Sequence, residues 1–369
     1  MKNIYWVGNR SSDIIYNRNI FKGYICLYGN NNGVNEFSFP NVRKNNSVID
    51  NSTNSFFEST INLVVSNDDN AYFLFYNPLL AHKIKSAHKN RFLCLNDYSL
   101  IRALDDKIEC HEILKNKVSF APYISLLGED IAPFYIKKIL NTKCFVIQEP
   151  KSAAGMGTFI INKNYSKIKN MVNKTERYLI SNYIEDSMTF NIHTIIDSNT
   201  EILFPPSYSI MEFKNNRVHY IGSSYIDATN VIGNSNLAHA KEMINNTIKL
   251  LRILNYKGIV GFDFLCHKSN VFLLELNLRF QGSSNVLNKM LKEAKLPSLF
   301  ELNIHAFNDK LQTIDVSKIK TFYANVFEYY NCDIVELNDK TLVECFDDGI
   351  TDYSVFENES YLKRKIYKS

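Results

Sequence analysis

The sequence has 369 residues, of which 45% are hydrophobic and 22% are charged, and its formal net charge is only +4. These values are typical of a soluble globular protein with room for two or three domains. They argue against a nucleic-acid-binding protein, because so weak a positive charge, spread along the chain, provides no basic patch. No apolar run approaches the roughly 18 residues of a membrane span, and the N-terminus lacks the apolar core of a signal peptide.

In chain order, the predicted elements begin with short strands in "IYWVG" and "YICLYG", each ended by a glycine turn. We interpret "INLVVS" and "AYFLFY" as further strands, so that the first 100 residues form an α/β unit. A helical apolar period runs through "DYSLIRALDDKIECHEILKNK" and stops before Pro122. The segments "CFVIQEP" and "GTFIIN" then predict two strands around a short loop, followed by a helix in "SKIKNMVNKTE" and a strand in "RYLISNYIE".

A second block with mixed elements follows. It contains predicted strands near 192–196 and 201–204, a helix near 238–254, and two adjacent strands in "GIVGFDFLC" and "VFLLELNLRF". The last 45 residues predict small strands packed on the body. The order of these elements predicts a fold of mixed α/β and α+β class.

The cysteines and histidines argue against two kinds of structural site. The seven cysteines are odd in number, scattered and never in CxxC spacing, and the eight histidines show no clustered ligand spacing. We therefore expect neither structural disulfides nor a zinc site, and instead free thiols in a reducing cytoplasm.

The stretch "LELNLRF" places Glu275, Asn277 and Arg279 on alternate positions, with leucines between them. Alternate residues share one face of a strand, and charges are costly to bury without partners, so this face must meet something polar. Asp263 precedes Glu275 by 12 residues, and antiparallel pairing across the turn "HKSN" would bring the two carboxylates together. Such oxygen ligands suit Mg²⁺ or Mn²⁺, and Arg279 could hold a phosphate or carboxylate. The alternative is an ion pair between Glu275 and Arg279 on a solvated sheet face.

The stretch "FVIQEPKSAAGMGTFII" provides a second candidate site. Its loop contains Ser152, Gly155, Gly157 and Thr158, and glycines allow backbone N–H groups to approach an anion closely. It is not a Walker loop, because no Gly-Lys-Ser/Thr closes it and a strand follows. The alternative is an ordinary hairpin turn between two strands.

Together and in this order, the two stretches resemble the ATP-grasp superfamily, of the type of carboxylate–amine ligases such as biotin carboxylase and D-alanine–D-alanine ligase. The resemblance extends over about residues 97–285. It implies an ATP-grasp fold after an N-terminal α/β (pre-ATP-grasp) domain at 1–100. Residues 101–186 would form the small lobe with a phosphate-covering loop, 187–325 the large lobe with the metal site, and 326–369 a β-rich segment.

The resemblance also implies roles for individual residues. Asp263, Glu275 and Asn277 would hold Mg²⁺ (or Mn²⁺) against ATP, and Arg279 would steady the acyl phosphate or its carboxylate precursor. Lysine is usual before the loop, where this chain has Gln148, so Lys151 could provide the cation. The residues implied in ATP binding are Lys107, Gln148, Lys151, Ser152, Gly155, Gly157, Thr158, Asn182, Tyr183, Ile184 and Glu185.

Substrate contacts are less well indicated by the sequence. Polar residues in the turn after Arg279, in "HYIGSSYIDATN" and beside the strand near 192 could fix a small polar molecule. Such loops equally serve to connect strands, and a lone strand histidine is more often structural than catalytic. The candidates are Arg279, Gly282, Ser283, Ser284, His193 and Ser223.

The resemblance implies an ADP-forming, Mg²⁺-dependent ligase that joins a carboxylate to an amine through an acyl phosphate, with amino acids or small peptides of a biosynthetic pathway as its substrates. Arg279, Asn277 and Lys151 would take part in catalysis. One alternative is an enzyme that activates bicarbonate, and another is a nucleotide-binding sensor without turnover. We expect a cytoplasmic protein and a possible homodimer, with ATP and small molecules as partners and neither nucleic acid nor membrane.

Overall fold

Two β-sheets organise the chain in this computed structural model, which describes residues 2–28, 35–38, 51–152, 157–162, 165, 169–214, 217–329, 342–347 and 351–356. The first sheet has five parallel strands in the order β3-β2-β1-β4-β5. Its strands are β1 Asn3–Arg10, β2 Gly23–Tyr28, β3 Asn35–Ser38, β4 Ala71–Phe75 and β5 Phe92–Leu93. The helices α1 Asn51–Asn67 and α2 Pro78–Lys83 belong to this part of the chain, as does a 3₁₀ segment at Ser11–Ile20.

One predicted strand of this region is wrong. The segment "INLVVS" lies inside α1. Phe57, Ile61, Val64 and Val65 are buried, at the spacing of one helix face, whereas Leu63 is 52% exposed. The helical period over the longer window therefore outweighs the β-branched residues of the short one.

The second sheet has 13 strands, and its main path runs β15-β14-β10-β12-β13-β8-β7-β9-β6. The strands of this sheet that come first in the chain are β6 Tyr123–Leu127, β7 Phe145–Gln148, β8 Thr158–Ile161 and β9 Arg177–Asn182. They are followed in the chain by β10 Met188–Ile196, β11 Glu201–Leu203, β12 Ser207–Lys214, β13 Arg217–Ser224, β14 Gly258–His267 and β15 Asn270–Asn277. The strands β16 Ala324–Tyr329, β17 Leu342–Asp347 and β18 Thr351–Phe356 extend it from β13, as the prediction of small terminal strands requires.

The other helices with described bounds are α3 Tyr98–Asp105, α4 Lys107–Leu114, α5 Pro133–Ile139, α6 Ala228–Ile232, α7 Asn234–Ile253, α8 Ser284–Glu293 and α9 Leu299–Phe307. The single helix predicted from residue 98 is two helices, because Asp106 has extended backbone angles between α3 and α4. The helix predicted in "SKIKNMVNKTE" is also wrong as far as it is described, where only Lys169–Met171 forms a 3₁₀ turn. None of the described helices is long and apolar enough to cross a membrane.

Packing of the second sheet decides which side chains can form a site. Phe262, Phe264 and Leu276 of the adjacent strands β14 and β15 are buried in one core cluster, together with residues of α7. Because side chains alternate along a strand, Asp263 and Glu275 project from the opposite face. The burial of aromatic and aliphatic side chains on one face thus determines which face carries the polar groups.

Candidate functional site

Asp263 and Glu275, which we call the acid pair, lie directly opposite each other in the antiparallel register of β14 and β15. The predicted cross-strand pairing is confirmed, and a register shift just after Asp263 accommodates one extra residue in β15. Asn277 Nδ2 donates a hydrogen bond to Asp263 Oδ2 at 2.8 Å and lies 3.5 Å from Glu275 Oε1. Asn191 of β10 also donates its amide to Asp263. Two carboxylates and two amides therefore meet on one sheet face.

The pKa values of the two carboxyl groups are shifted in opposite directions at this site. Burial, together with the charge of Glu275, raises the pKa of Asp263 to about 7. Burial acts on Glu275 in the same direction, but the charges of Lys107 and Arg279 prevail and hold the pKa of Glu275 below its usual value. One proton or one cation therefore belongs naturally between the two acids.

Lys107 connects the acid pair to the loop between β7 and β8. It is the first residue of α4, and its side chain is only 6% exposed. Its Nζ lies 3.0 Å from Glu275 Oε2 and donates to the Ser152 carbonyl at 3.0 Å. Its backbone N–H donates to Pro150 O at 2.9 Å. A buried ammonium group is thus held between a carboxylate of β15 and a backbone carbonyl of the loop that follows β7.

The loop at residues 149–157, which we call the glycine loop, is closed at its base by the β7–β8 pairing of Gln148 with Thr158. Glu149 N–H donates to Gly157 O at 2.9 Å, and Gly157 has φ +75°. Its backbone angle therefore favours glycine, and a Cβ there would lie 2.5 Å from Glu149 Oε2, so that the Glu149 side chain would have to move. Gly155 lies outside the described residues.

Gln148 and Lys151 lie on different parts of this region. Gln148 is half-buried at the end of β7, on the face opposite the buried side chains of Phe145 and Ile147. The Lys151 side chain is 53% exposed and its Nζ lies 3.8 Å from Asp106 Oδ2. The ammonium group of Lys151 therefore lies exposed beside Asp106, the residue that precedes α4.

The strand predicted to read adenine, β9, ends at Asn182. The Asn182 N–H donates to Pro122 O at 3.0 Å, and the Tyr183 N–H donates to Cys144 O at 3.2 Å. Neither amide is therefore available to a ligand in this arrangement. Tyr183 and Ile184 follow the strand, and Glu185 is exposed beyond them.

Arg279 follows the end of β15, so the predicted strand is shorter than the alternating pattern. Its Nη1 donates to Phe280 O at 3.2 Å. Burial alone would lower the pKa of Arg279, but the nearby Tyr76, Asp105 and the acid pair raise it. Asp105 and Tyr76 were not among the predicted site residues. The consecutive "DD" before Lys107 was the one available signal for Asp105, whereas nothing local marks Tyr76.

The weaker substrate candidates lie inside the protein. His193, Ser223 and Ser284 are 0%, 2% and 4% exposed, and Ser283 is 3% exposed. His193 Nε2 is 3.0 Å from Ser284 Oγ, and Tyr220 OH is 2.7 Å from Ser223 Oγ. Burial lowers the pKa of His193 to about 3, so its imidazole is neutral. These four side chains are therefore buried, and His193, Ser284 and Ser223 have hydrogen-bond partners inside the protein.

The acid pair and Asn277 fit Mg²⁺ by the chemistry of their donor atoms. Within the described ranges no group of three or more His, Cys, Asp or Glu could hold a metal ion by itself. Mg²⁺ needs no such cage, because it commonly binds one or two carboxylates and takes its other ligands from phosphates and water. Asn277 directs its amide nitrogen at the acids, and half a turn of the amide would direct its oxygen there.

Residues 104–283, close to half of the chain, match the family model of the ATP-grasp domain. The chain contains an ATP-grasp domain. The matched range includes Lys107, the glycine loop, the end of β9 and the acid pair, which are the segments on which the resemblance in the sequence rested. No curated protein matches the sequence significantly.

Solved structures share this ATP-grasp fold over nearly the whole chain. The N5-carboxyaminoimidazole synthetase from Staphylococcus aureus, complexed with ADP, gives a TM-score of 0.63 at 14% identity and covers 100% of this chain and 97% of its own. The biotin carboxylase domain of 2-oxoglutarate carboxylase from Hydrogenobacter thermophilus, with MgADP and bicarbonate, gives 0.64 at 11% identity, with 99% and 89% covered. Phosphoribosylamine–glycine ligase from Thermotoga maritima gives 0.64 at 11% identity, with 99% and 95% covered. These likenesses confirm the predicted fold class.

Proposed function

We propose that the protein is an ATP-dependent, ADP-forming ligase that joins a carboxylate to an amine through an acyl phosphate. Amino acids or small peptides are the proposed substrates. The observation that carries the proposal is the acid pair held beside the buried ammonium of Lys107, which also touches the glycine loop. Phosphoryl transfer depends on positioning and charge neutralisation, and this arrangement supplies both without a dedicated nucleophile.

The acid pair and Asn277 would hold Mg²⁺ (or Mn²⁺), which when bound supplies positive charge against the ATP phosphates. Lys107 would bind a phosphate oxygen from the other side, because it lies between Glu275 and Ser152. The glycine loop would close over the phosphates and exclude water, since water would hydrolyse an acyl phosphate. The proposed loop contacts are Gln148, Lys151, Ser152, Gly155, Gly157 and Thr158.

The adenine would bind where the chain leaves β9. Of the predicted hinge residues, Asn182 and Tyr183 already use their N–H groups inside the protein, so we assign the backbone contact to Ile184. The half-buried apolar side chains of Val146 and Ile160 share one sheet face with Gln148 and could cover the base. Glu185, which is exposed, would reach the ribose.

Arg279 would hold the carboxylate that is activated, because its planar fork matches two carboxylate oxygens. The carboxylate oxygen attacks the γ-phosphate, and ADP leaves. The amine then attacks the acyl carbon, and phosphate leaves as the amide forms. This assignment follows the proposed division into an N-terminal domain (1–100), a small lobe (101–186), a large lobe (187–325) and a C-terminal segment (326–369).

Bicarbonate is the second candidate for the activated acid. It is named as a ligand of the Hydrogenobacter thermophilus biotin carboxylase domain, which shares this fold. Arg279 would bind a small planar anion of this kind as well as an organic carboxylate.

Release of ADP and phosphate by the purified protein tests the proposed function. Mg-ATP is supplied with an amino-acid pool, a small-peptide pool or bicarbonate in separate reactions. We expect release that depends on one of these additions and falls by on the order of 100-fold in Glu275→Gln, because the acid pair loses a charge. Glu112→Gln, whose side chain is 57% exposed on α4, is the control and should retain the activity.

Two outcomes would contradict the proposed function. Unchanged release in Glu275→Gln would reject the metal assignment. Binding of Mg-ATP without release in any of the reactions would instead indicate a nucleotide-binding protein without turnover.

A further inference from the structure

The segment of residues 279–284, which we call the Arg279 turn, is bound to several distant parts of the chain. Phe280 N–H donates to Tyr76 O at 3.2 Å, at the end of the first sheet. Asn325 Nδ2 of β16 donates to Gly282 O at 3.4 Å. The conformation of the turn, and with it the place of Arg279, therefore depends on anchors outside its own strand.

A further anchor is the buried contact between His193 and Ser284. His193 is fully buried on β10, and its Nε2 lies 3.0 Å from Oγ of Ser284, which is 91 residues away in the chain. Ser284 Oγ also accepts the backbone N–H of Gln281 at 2.8 Å. A serine hydroxyl can accept a second hydrogen bond or donate one, so Ser284 can bond the backbone and the imidazole at once, with either tautomer of His193. Through Ser284, His193 is connected to the backbone in the middle of the turn.

The same strand also supports the acid pair. Asn191 lies two residues before His193 on the same face of β10, and it donates its amide to Asp263. Asn191 is opposite Asp263 and His193 is opposite Gly261 in the pairing of β10 with β14. One strand therefore contacts both the acid pair and the Arg279 turn.

Gly261 explains how the turn can lie so close to these strands. It is paired with His193 on one side and with Asn277 on the other. A Cβ at Gly261 would lie 2.1 Å from Nε2 and 2.5 Å from Oε1 of Gln281. The Gln281 side chain thus fills the space above Gly261, which lies between β15 and β10.

We propose that His193 is a positioning residue that holds the Arg279 turn, through Ser284, in register with the acid pair. This inference rests on the proposed function for its chemical purpose, since Arg279 must face a carboxylate beside the bound nucleotide. A displacement of about 1 Å at such a site can reduce turnover on the order of 100-fold. His193 itself touches no substrate in this assignment.

Hydrogen–deuterium exchange of the purified full chain, without nucleotide, tests this role independently of any activity. The variants are His193→Leu, Ser284→Ala, their combination, and His193→Gln, whose amide can reach the position of Nε2. We expect amides of residues 280–284 to exchange at least about tenfold faster in both single variants, with no further increase in the double variant. His193→Gln should restore most of the protection.

The catalytic readout uses the addition that stimulates ADP release in the wild type. We expect its KM to rise about tenfold in His193→Leu, with recovery in His193→Gln, while the KM for ATP stays within about twofold. If the wild type releases no ADP, the proposed function fails, and the exchange comparison still decides the role of His193.

Three results would overturn the inference. Unchanged exchange of residues 280–284 in both single variants would show that the contact does not hold the turn. Multiplied effects in the double variant would show that His193 and Ser284 act separately. Equal acceleration of exchange in β14 and β10 would reveal a general loss of stability.

Discussion

Asp263 and Glu275 have the same chemical group, and their surroundings give them opposite tendencies. Burial and the negative charge of Glu275 both raise the pKa of Asp263. Lys107 lies 3.0 Å from Glu275 and stabilises the Glu275 carboxylate as an anion. Asp263 is therefore easily protonated, whereas Glu275 stays ionised. Such a pair is suited to exchange a proton for a cation, since a bound Mg²⁺ would only have to displace the proton of Asp263.

The affinity for Mg-ADP should therefore depend on pH. With the pKa of Asp263 at about 7, affinity should rise as pH increases towards 7 and level off above it, because a bound proton no longer competes. Calorimetry between about pH 5.5 and 8 measures this, and a flat profile would contradict the assignment.

In the metal-free protein the raised pKa of Asp263 lies above that of a carboxyl group in the unfolded chain, about 3.9. Stability contributed by protonated Asp263 should thus be lost as pH rises from about 4 through 7.

At the scale of elements, the break between α3 and α4 places Lys107 at the start of a helix. Asp106 Oδ1 accepts the N–H groups of Ile108 at 3.0 Å and Glu109 at 3.2 Å, and so caps α4. Asp97 caps α3 in the same way, with Leu100 N–H at 3.0 Å. The two helices are therefore stabilised alike, but only one begins at the site.

Asp106→Ala and Asp97→Ala form a matched pair for this feature. Each should lower the free energy of unfolding by about 1 kcal/mol, because each removes an N-cap. Only Asp106→Ala should also raise the KM for ATP, since it frees the helix start that carries Lys107. Equal effects of the two variants on the KM would show that the cap has no part in positioning Lys107.

Gly157 offers a second comparison at this scale, with Gly233 as its control. Both have positive φ, +75° and +86°, but nothing lies within 4 Å of a Cβ at Gly233, whereas Glu149 crowds Gly157. Replacing either by Ala should cost about 1–3 kcal/mol of stability through backbone strain. Gly157→Ala should additionally weaken Mg-ATP binding by opening the base of the glycine loop. Calorimetry measures this affinity. A normal affinity in Gly157→Ala would show that Gly157 has no part in closing the glycine loop.

At the scale of the whole molecule, one aromatic cluster joins the two sheets. The sole tryptophan, Trp6 of β1, is fully buried, with ring centroids 5.3 Å from Phe280 and 5.1 Å from Phe300. Phe280 belongs to the Arg279 turn, and Phe300 belongs to α9. The N-terminal sheet is therefore packed directly against the segment that carries Arg279.

Unfolding followed by Trp6 fluorescence should coincide with unfolding followed by circular dichroism. A cluster shared by both sheets couples their unfolding, because neither can separate without exposing these rings. Urea titration of the wild type provides both signals. Two separate transitions, with Trp6 reporting on the earlier one, would contradict a shared core.

Much of the site was predictable because its parts are local in sequence. The acid pair was predicted from two adjacent strands, since a short turn determines their register and period two determines the shared face. The glycine loop was predicted for the same reason, as it lies between two paired strands. Local reasoning failed at α1, where a six-residue window of β-branched residues concealed a helical period visible over a longer one.

The sequence by itself thus predicted the ATP-grasp fold and the pairing of Asp263 with Glu275 beside Asn277. Only the tertiary structure decided that Lys107 bridges Glu275 and Ser152, that Asp105 and Tyr76 act electrostatically on Arg279, and that His193 binds Ser284. The physical reason is the range of the interactions involved. Pairing across a tight turn is determined by neighbouring residues, whereas contacts between remote segments arise only when whole sheets and helices pack together.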